Sequence, residues 1–321
     1  MTRRASALFV LSIDLEMSWG SVHHGQPHDP SPYGEERAVV ADVLGLMDEY
    51  GISATWAVVG HLFLTDCRSQ HGTKHPEITR PSYPWLNMDW YELDPATSLS
   101  SDPTWYAPDL VAAIRYCGTP QEIGSHSFGH VIAGDPGCSE LAFESDLVAA
   151  KAVAELAGLE LRSFVYPRNS IGRLDVLERH GFVAFRGPTP PRFEGLPEWR
   201  RRVAGVADAI RPLASQTVHP ARDGALVDVP QTFLFDPGSK KARRFGTAGW
   251  SWLMRRRLRH AVRTGSLFHL WFHTHNLATH PERAHKAMEH LFADARRYID
   301  EGRLENLTMG AVADRFGAVS R

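Results

Sequence analysis

Residues 124–130 read Gly-Ser-His-Ser-Phe-Gly-His and place two histidines, His126 and His130, four positions apart. On a helix or in a tight turn, this spacing puts both imidazole rings on one face, with their Cβ atoms about 5–6 Å apart. One metal ion can be shared across that distance. Histidines at this spacing often only decorate a surface, so the pair alone is a weak signal. Asp14 and Glu16 strengthen it, because imidazole and carboxylate groups together are usual ligands of catalytic divalent metals.

The two acids follow an apolar run of strand length at residues 7–13. In parallel α/β folds, catalytic side chains gather at the carboxyl ends of strands, although acids at such a position also begin ordinary polar loops. Residues 35–50 have helical apolar spacing, and residues 52–59 have the composition of a second strand. This strand–helix–strand order predicts a parallel sheet.

The same alternation predicts most of the later elements. The further predicted helices are 109–116, 139–157, 173–180 and 281–299, and the further predicted strands are 163–166, 182–185 and 266–272, with 227–229 as a candidate strand. Residues 18–34 are predicted to form a loop. Two irregular stretches, 61–108 and 188–265, are predicted to be long insertions around the mouth of the active site. The first is rich in aromatic residues, which argues against disorder, and ordinary packing is the competing interpretation.

Composition limits the classes of protein that fit. The chain has 321 residues, 43% of them hydrophobic, and a formal net charge of −2, which gives no indication of a nucleic-acid partner. Three widely spaced cysteines without a C-x-x-C pair do not predict a disulfide framework and favour a reducing compartment. No apolar run is long enough to span a membrane, and the run at 7–13 lacks a signal-peptide cleavage site. We therefore expect a cytoplasmic protein without stable membrane insertion, with one domain over residues 1–321.

Residues 240–263 contain many lysines and arginines and no acidic residue, and include Arg255, Arg256 and Arg257. One interpretation is a solvated basic helix. The other is a site for a phosphate-bearing substrate, because arginine suits the recognition of phosphate.

Polar residues also follow two later strands, as Arg168 with Asn169 and as His273 with His275. A metal held by one carboxylate and two histidines, a second carboxylate and a distant histidine would together form a hydrolytic site. The metal would lower the pKa of bound water and polarise a carbonyl group. The free carboxylate would act as the general base, and the distant histidine would protonate the departing amine.

These residues resemble the motifs of the polysaccharide deacetylase family, also called the NodB-homology family or carbohydrate esterase family 4. In that family an acidic motif on the first strand supplies a base and a metal ligand, an H-[ST]-x-x-H motif supplies two metal-binding histidines, and a histidine on a late strand is the acid. By this resemblance, Asp14 is the base, Glu16, His126 and His130 bind the metal, and His273 is the acid. The resemblance implies an irregular (β/α) barrel of about seven parallel strands.

The chain departs from the family pattern at three places. The family usually has adjacent aspartates, whereas here Leu15 separates the acids and the second acid is glutamate, which leaves open an exchange of roles between them. The usual R-x-P-[YF]-G motif is replaced by residues 166–169, and we expect Arg168 to take over the arginine that orients the base carboxylate. His275 would share a face with His273 if the strand continued, so either can be the acid.

The resemblance implies a metal-dependent hydrolase that removes an N-acetyl or other N-acyl group from an amino sugar or a sugar-containing metabolite. Zinc is the expected metal, and iron, cobalt and nickel suit the same ligands. We expect a small-molecule or glycan substrate, with a phosphate-linked sugar if the basic run binds it. Candidate substrate-binding residues are Asn169, His275, Trp19 and Trp271, although tryptophans more often serve in packing.

Two alternatives remain at this point. One is hydrolysis of another C–N amide, such as a cyclic ureide or a formamide, on the same fold. The other is a catalytically silent carbohydrate-binding protein, against which the presence of Asp14 argues.

Overall fold

The computed structural model describes residues 6–25, 34–189, 197, 217–238 and 240–318, with residues 240–247 and 318 described by backbone alone. The strands of these residues are β1 (Ala7–Leu15), β2 (Thr55–Val58), β3 (Glu122–Ser125), β4 (Ser163–Phe164), β5 (Ala184–Phe185), β6 (Ala221–Asp223), β7 (Leu226–Asp228), β8 (Phe233–Leu234), β9 (Leu267–His273) and β10 (Leu304–Asn306). The α-helices are α1 (Glu36–Tyr50), α2 (Pro108–Arg115), α3 (Glu140–Leu156), α4 (Leu174–Arg179), α5 (Lys240–Thr264), α6 (Thr274–Ala278), α7 (Pro281–Asp300) and α8 (Met309–Ala318). Short 3-10 helices span Met17–His24, Gly60–Phe63 and Pro167–Asn169.

Eight of these ten strands form a curled row in the order β7-β5-β4-β3-β2-β1-β9-β8, with every neighbouring pair parallel. In the same sheet, β6 pairs antiparallel with β7, and β10 pairs parallel with β1. The extended chain between β7 and β8 joins the two ends of the row. Gln231 N–H donates to the carbonyl of Gly187 beyond β5, and Thr232 N–H donates to the carbonyl of His269 in β9, both at 3.0 Å. The barrel predicted from the resemblance is confirmed, with eight parallel strands in place of about seven.

The two faces of β1 show how the sheet positions a site. Phe9, Leu11 and Ile13 point outward into the main core beneath the helices, while Val10, Ser12 and Asp14 alternate with them and point into the barrel. The lower part of the barrel interior holds a second apolar cluster of small side chains, which α8 caps from the amino ends of the strands through Met309, Val312 and Ala313. At the amino end, the polar side chains of Thr55, Glu122 and Ser163 bond to one another and to the start of α8, so the titratable groups that remain available for chemistry lie at the carboxyl end of the interior.

Several sequence predictions are confirmed locally. Gly51 ends α1 in the left-handed conformation, with φ at 62°, and Ser139 caps α3 by accepting a hydrogen bond from Ala142 N–H at 3.1 Å. The candidate strand at 227–229 corresponds to β7.

Other predictions need correction. The predicted loop 18–34 contains most of the 3-10 helix Met17–His24, and residues 26–33 lie outside the described part of the chain. The predicted insertion 188–265 includes β7 and β8, which belong to the sheet itself, while residues 190–196 and 198–216 lie outside the described residues. Strands of two or three residues are too short to show a period in the sequence.

The basic run forms α5, but this helix is not only solvated. Met254, Leu258 and Ala261 are buried in the core. Arg255 forms an ion pair with Asp294 of α7 at 2.6 Å, so this charge is used in packing two helices together. No helix in the described ranges is long and apolar enough to cross a membrane.

The segment 64–107 has no α-helix or β-strand, yet it is packed. Tyr83, Trp90, Tyr91 and Tyr106 within it are at most 4% exposed. The segment is therefore packed and ordered, as its aromatic content predicted.

Candidate active site

The two histidines of the motif lie in a tight turn that follows β3 directly. Ser127 and His130 adopt positive φ angles of 67° and 60°, so the turn is not helical. The ring of His126 is fixed by its Nδ1 atom, which lies 2.7 Å from the carbonyl oxygen of Val165. Since a carbonyl only accepts, Nδ1 carries the proton and the lone pair of Nε2 faces the barrel interior.

Neighbouring elements hold this turn in place. The buried carboxylate of Asp146 on α3 accepts hydrogen bonds from the N–H groups of Phe128 at 2.9 Å and Gly129 at 3.0 Å. Burial raises the pKa of Asp146 to about 6, although the two amide hydrogen bonds oppose that shift. Trp90 Nε1 donates to the carbonyl of Gly129 at 2.7 Å, and a Cβ atom at Gly129 would lie 2.6 Å from the Tyr91 hydroxyl. Only glycine fits at that position.

Glu16 lies between the two histidines. Its Oε1 atom is 2.9 Å from His126 Nε2 and 3.2 Å from His130 Nε2, and all three side chains are buried. Burial raises the pKa of Glu16, but the nearby histidines outweigh burial, so its pKa falls well below the ordinary value. These three residues form a group whose donor atoms lie within 4.8 Å of one another, which is the spacing that a shared metal ion requires.

A glycine supports the position of Glu16. Gly20 lies in the following 3-10 helix, and a Cβ atom there would be only 2.3 Å from Glu16 Oε2. Any side chain at residue 20 would therefore move the Glu16 carboxylate.

Asp14 has a different partner. Both of its carboxylate oxygens accept hydrogen bonds from Arg186 at 2.7 Å, and both residues are 1% exposed. Burial raises the pKa of Asp14, but the charge of Arg186, followed by that of His126, lowers it by more. The same guanidinium group donates to Asn169 Oδ1 at 3.3 Å and lies 4.3 Å from the ring centroid of Trp271. Asp14 is thus a rigid, ionised carboxylate.

A buried network fixes Arg186 from below. Arg186 donates to Ser12 Oγ at 3.1 Å, and Ser12 Oγ is 2.9 Å from His269 Nε2. His269 Nδ1 lies 3.0 Å from the carbonyl of Val229, so Nδ1 donates and Nε2 accepts from the serine hydroxyl. Burial and then the charge of Arg186 lower the pKa of His269 to about 3, which keeps this ring neutral.

His273 ends β9 on the other side of the carboxylates. Its Nε2 atom is 3.6 Å from Glu16 Oε1 and 3.7 Å from Asp14 Oδ2, and 25% of its side chain is exposed. Asn276 Oδ1 lies 3.1 Å from His273 Nδ1, which makes Nδ1 a donor. The assumption that His275 continues the strand is wrong, because α6 begins at Thr274, although the two rings stack with centroids 4.9 Å apart.

One further carboxyl group lies beside the site. Glu36 of α1 is buried and accepts a hydrogen bond from the hydroxyl of Thr274. Burial raises its pKa to about 8, with a contribution from the charge of Glu16. Glu36 is therefore largely protonated at neutral pH.

For two residues, the predicted role in the site is wrong. Arg168 does not orient Asp14: it is exposed, in a left-handed turn with φ at 56°, and Arg186 occupies both carboxylate oxygens of Asp14. Trp19 cannot stack on a sugar, because it is fully buried against Trp105 and His61.

The other predicted residues converge. Glu16, His126, His130, Asp14 and His273 meet at the carboxyl end of the barrel, with Asn169 and Trp271 against Arg186. Arg186, Ser12 and His269 were missed. Arg186 follows β5 directly, so the rule that catalytic groups gather at the carboxyl ends of strands makes it a candidate site residue, although it does not predict the pairing with Asp14.

Comparison with known proteins supports the fold. No family model matches the chain, and no curated protein matches it. A protein from Mycobacterium smegmatis assigned as a polysaccharide deacetylase is similar over 100% of this chain and 93% of its own, with a TM-score of 0.63 and 15% identity. One from Pseudomonas aeruginosa PAO1 with the same assignment covers 96% and 90%, with a TM-score of 0.60 and 14% identity. Puue allantoinase covers 99% and 92%, with a TM-score of 0.61 and 12% identity. The chain therefore has the polysaccharide deacetylase fold.

Proposed function

We propose that this chain is a metal-dependent hydrolase that removes an N-acetyl, or another N-acyl, group from an amino sugar or a sugar-containing metabolite. One observation carries the proposal. Three possible metal ligands, Glu16, His126 and His130, lie at one end of the barrel beside a carboxylate bound by Arg186 and the partly exposed His273. The deacetylase fold of the chain supports it.

The donor set fits a divalent metal. Glu16, His126 and His130 would hold it, and zinc suits one carboxylate and two imidazoles, as iron, cobalt and nickel also do. When bound, the metal would polarise the amide carbonyl and lower the pKa of water.

Asp14 is the proposed general base. It is ionised at neutral pH because Arg186 stabilises its charge, and it can accept a proton from the attacking water. Glu16 contacts both histidines of the motif, whereas Asp14 is occupied by Arg186. This difference supports Glu16 as the ligand and Asp14 as the base, rather than the reverse.

His273 is the proposed general acid. Asn276 fixes its ring through Nδ1, so Nε2 faces the two carboxylates, and as the imidazolium His273 can give its Nε2 proton to the departing amine. For the oxyanion, Asn169 N–H already donates to the carbonyl of Tyr166 at 2.9 Å, which favours the N–H of Arg168.

The substrate is proposed to be a small molecule or a glycan. Trp271 and His275 remain the proposed substrate contacts, which is supported by the packing of Trp271 on Arg186 and the stacking of His275 on His273. A phosphate-linked sugar has less support, because Arg255 is paired with Asp294.

The test compares wild-type protein with His126→Ala and with His290→Ala, an exposed histidine on α7 as the control. We expect His126→Ala to lose about one equivalent of bound metal and its acetate release from acetylated amino sugars, while the control keeps both. Unchanged metal content and acetate release in His126→Ala would overturn the proposal.

A second candidate is hydrolysis of another C–N amide, such as a cyclic ureide or a formamide, because Puue allantoinase shares the fold. Assaying a cyclic ureide and a formamide beside the acetylated sugars separates the two candidates. Turnover of any of these substrates also excludes a silent carbohydrate-binding protein.

A further inference from the structure

A second group of metal-type ligands lies outside the active site, in and next to the packed segment 64–107. It consists of His61, Cys67, His75 and Asp94, and their donor atoms lie within 4.8 Å of one another. We call these four residues the loop cluster. His61 follows β2 in the 3-10 helix Gly60–Phe63, and the other three come from the segment itself.

The distances around Asp94 suit a tetrahedral ion. Asp94 Oδ2 lies 2.9 Å from His75 Nε2, 3.5 Å from His61 Nε2 and 3.4 Å from Cys67 Sγ. Zinc bonds of about 2.0–2.3 Å at tetrahedral angles would place neighbouring donor atoms roughly 3.3–3.6 Å apart. Two of the three separations lie near this range, and only the His75 distance would have to lengthen.

The outer contacts orient the ligands toward a common centre. His61 Nδ1 lies 3.2 Å from the carbonyl of Trp105, so Nδ1 carries the proton and the lone pair of Nε2 points inward. His61 is fully buried, and its Nε2 has no hydrogen-bond partner. The hydroxyl of Tyr106 lies 3.2 Å from Cys67 Sγ, where it can donate to a thiolate.

The charges of the cluster are also unbalanced. Asp94 is 1% exposed, and no lysine or arginine among the described residues forms an ion pair with it. A buried carboxylate needs a cation, and a metal ion would supply one.

We propose that His61, Cys67, His75 and Asp94 bind a structural zinc ion. Four protein ligands complete a tetrahedral shell and leave no open position, which is typical of structural zinc sites. Binding would transfer the thiol proton of Cys67 to solvent and form the zinc–thiolate bond.

The position of the loop cluster indicates what the zinc ion would stabilise. Most backbone hydrogen bonds of the segment 64–107 join residues within it, so a metal that also binds His61 would add a link between the segment and the end of β2. The rings of His61 and His75 also pack on Phe128, with centroids 5.7 Å and 5.2 Å away. The zinc ion would therefore hold the segment against the turn that carries His126 and His130.

The test uses cobalt as a spectroscopic probe, because the loop cluster is the only group of possible metal ligands among the described residues that contains a cysteine. Full-length protein loaded with cobalt should show a thiolate-to-cobalt charge-transfer band, and His126→Ala should keep it. Cys67→Ala should lose the band, and Cys117→Ala, a half-buried cysteine outside the cluster, should keep it. With zinc, we expect about two equivalents in wild type and about one in either His126→Ala or Cys67→Ala.

X-ray absorption on zinc-loaded His126→Ala should find one sulfur at about 2.3 Å. The absence of a thiolate band and of a zinc–sulfur bond in wild-type protein would overturn the proposal. This measurement uses wild-type protein alone, so it does not depend on whether any variant folds. Because His126→Ala removes only the active-site ligand, failure of the loop cluster and failure of the proposed hydrolase give different results.

Discussion

Two of the ligand groups among the described residues, the loop cluster and the group of Glu16, His126 and His130, meet at the same turn but differ in their surroundings. At the active site, three ligands leave room for further partners, and Asp14, Arg186 and the partly exposed His273 stand beside them. In the loop cluster, four ligands face one another, their other contacts come mainly from backbone groups and a tyrosine, and both histidine rings are at most 7% exposed. The same residue types thus suit chemistry in one place and cross-linking in the other. Ligand number and access make the difference.

The largest expected effect separates base from ligand within the active site. Asp14→Asn keeps the shape of the side chain but removes the base, so we expect kcat for acetate release to fall by about 10²–10⁴-fold with metal content unchanged. Glu16→Gln should instead lose the metal. If the two variants behaved the other way round, the roles of Asp14 and Glu16 would have to be exchanged.

The next effect concerns Glu36, a buried carboxyl group that forms no ion pair among the described residues. Glu36 has a pKa of about 8 in the folded protein, above its ordinary value of 4.5. Its contribution to stability is complete below pH 4.5 and is lost as the pH rises to 8, because only the unfolded chain then releases the proton freely. We expect the free energy of unfolding to decrease by roughly 2–4 kcal/mol across this range.

Glu36→Gln should lack this part of the pH dependence and still accept the hydrogen bond from Thr274. Denaturant titrations of both proteins between pH 5 and pH 8 measure the difference. Parallel curves would mean that Glu36 is already ionised in the folded state.

The smallest effect tests how finely the active-site ligands are held. Gly20→Ala would force the Glu16 carboxylate to move, because the new Cβ atom would lie 2.3 Å from Oε2. We expect the affinity for metal at the active site to fall by about 10–100-fold, as for other changes that displace a ligand without removing it. Competition with a chelator measures this, and Gly45→Ala, where a Cβ atom meets nothing within 4 Å, is the matched control. Equal affinities in both variants would show that Glu16 adapts.

The sequence predicted the features that depend on local pattern. The run before Asp14, the His126–His130 pair and the strand before His273 each carry their signal within a few residues, and parallel strands bring their carboxyl ends together. Arg186 follows a strand of only two residues, so its pairing with Asp14 depends on long-range packing. Arg168 seemed the nearer substitute in sequence, but its left-handed turn directs it to solvent.

The loop cluster escaped prediction for a related reason. Its members are spread over an aperiodic segment, with no short spacing typical of zinc ligands, and only the packing of aromatic side chains brings them together. The burial of Trp19 has the same origin, since the segment around Trp105 covers it.

The second apolar cluster, which fills the barrel beneath the active site, has a consequence for how substrate and products enter and leave. Small side chains and α8 fill the amino end of the interior, so the carboxyl end serves both arrival and departure. Under the proposed reaction, the released acid and the released amine would leave by the route through which the substrate came. The product that leaves last would bind the same free enzyme as the substrate, so inhibition by that product should be competitive.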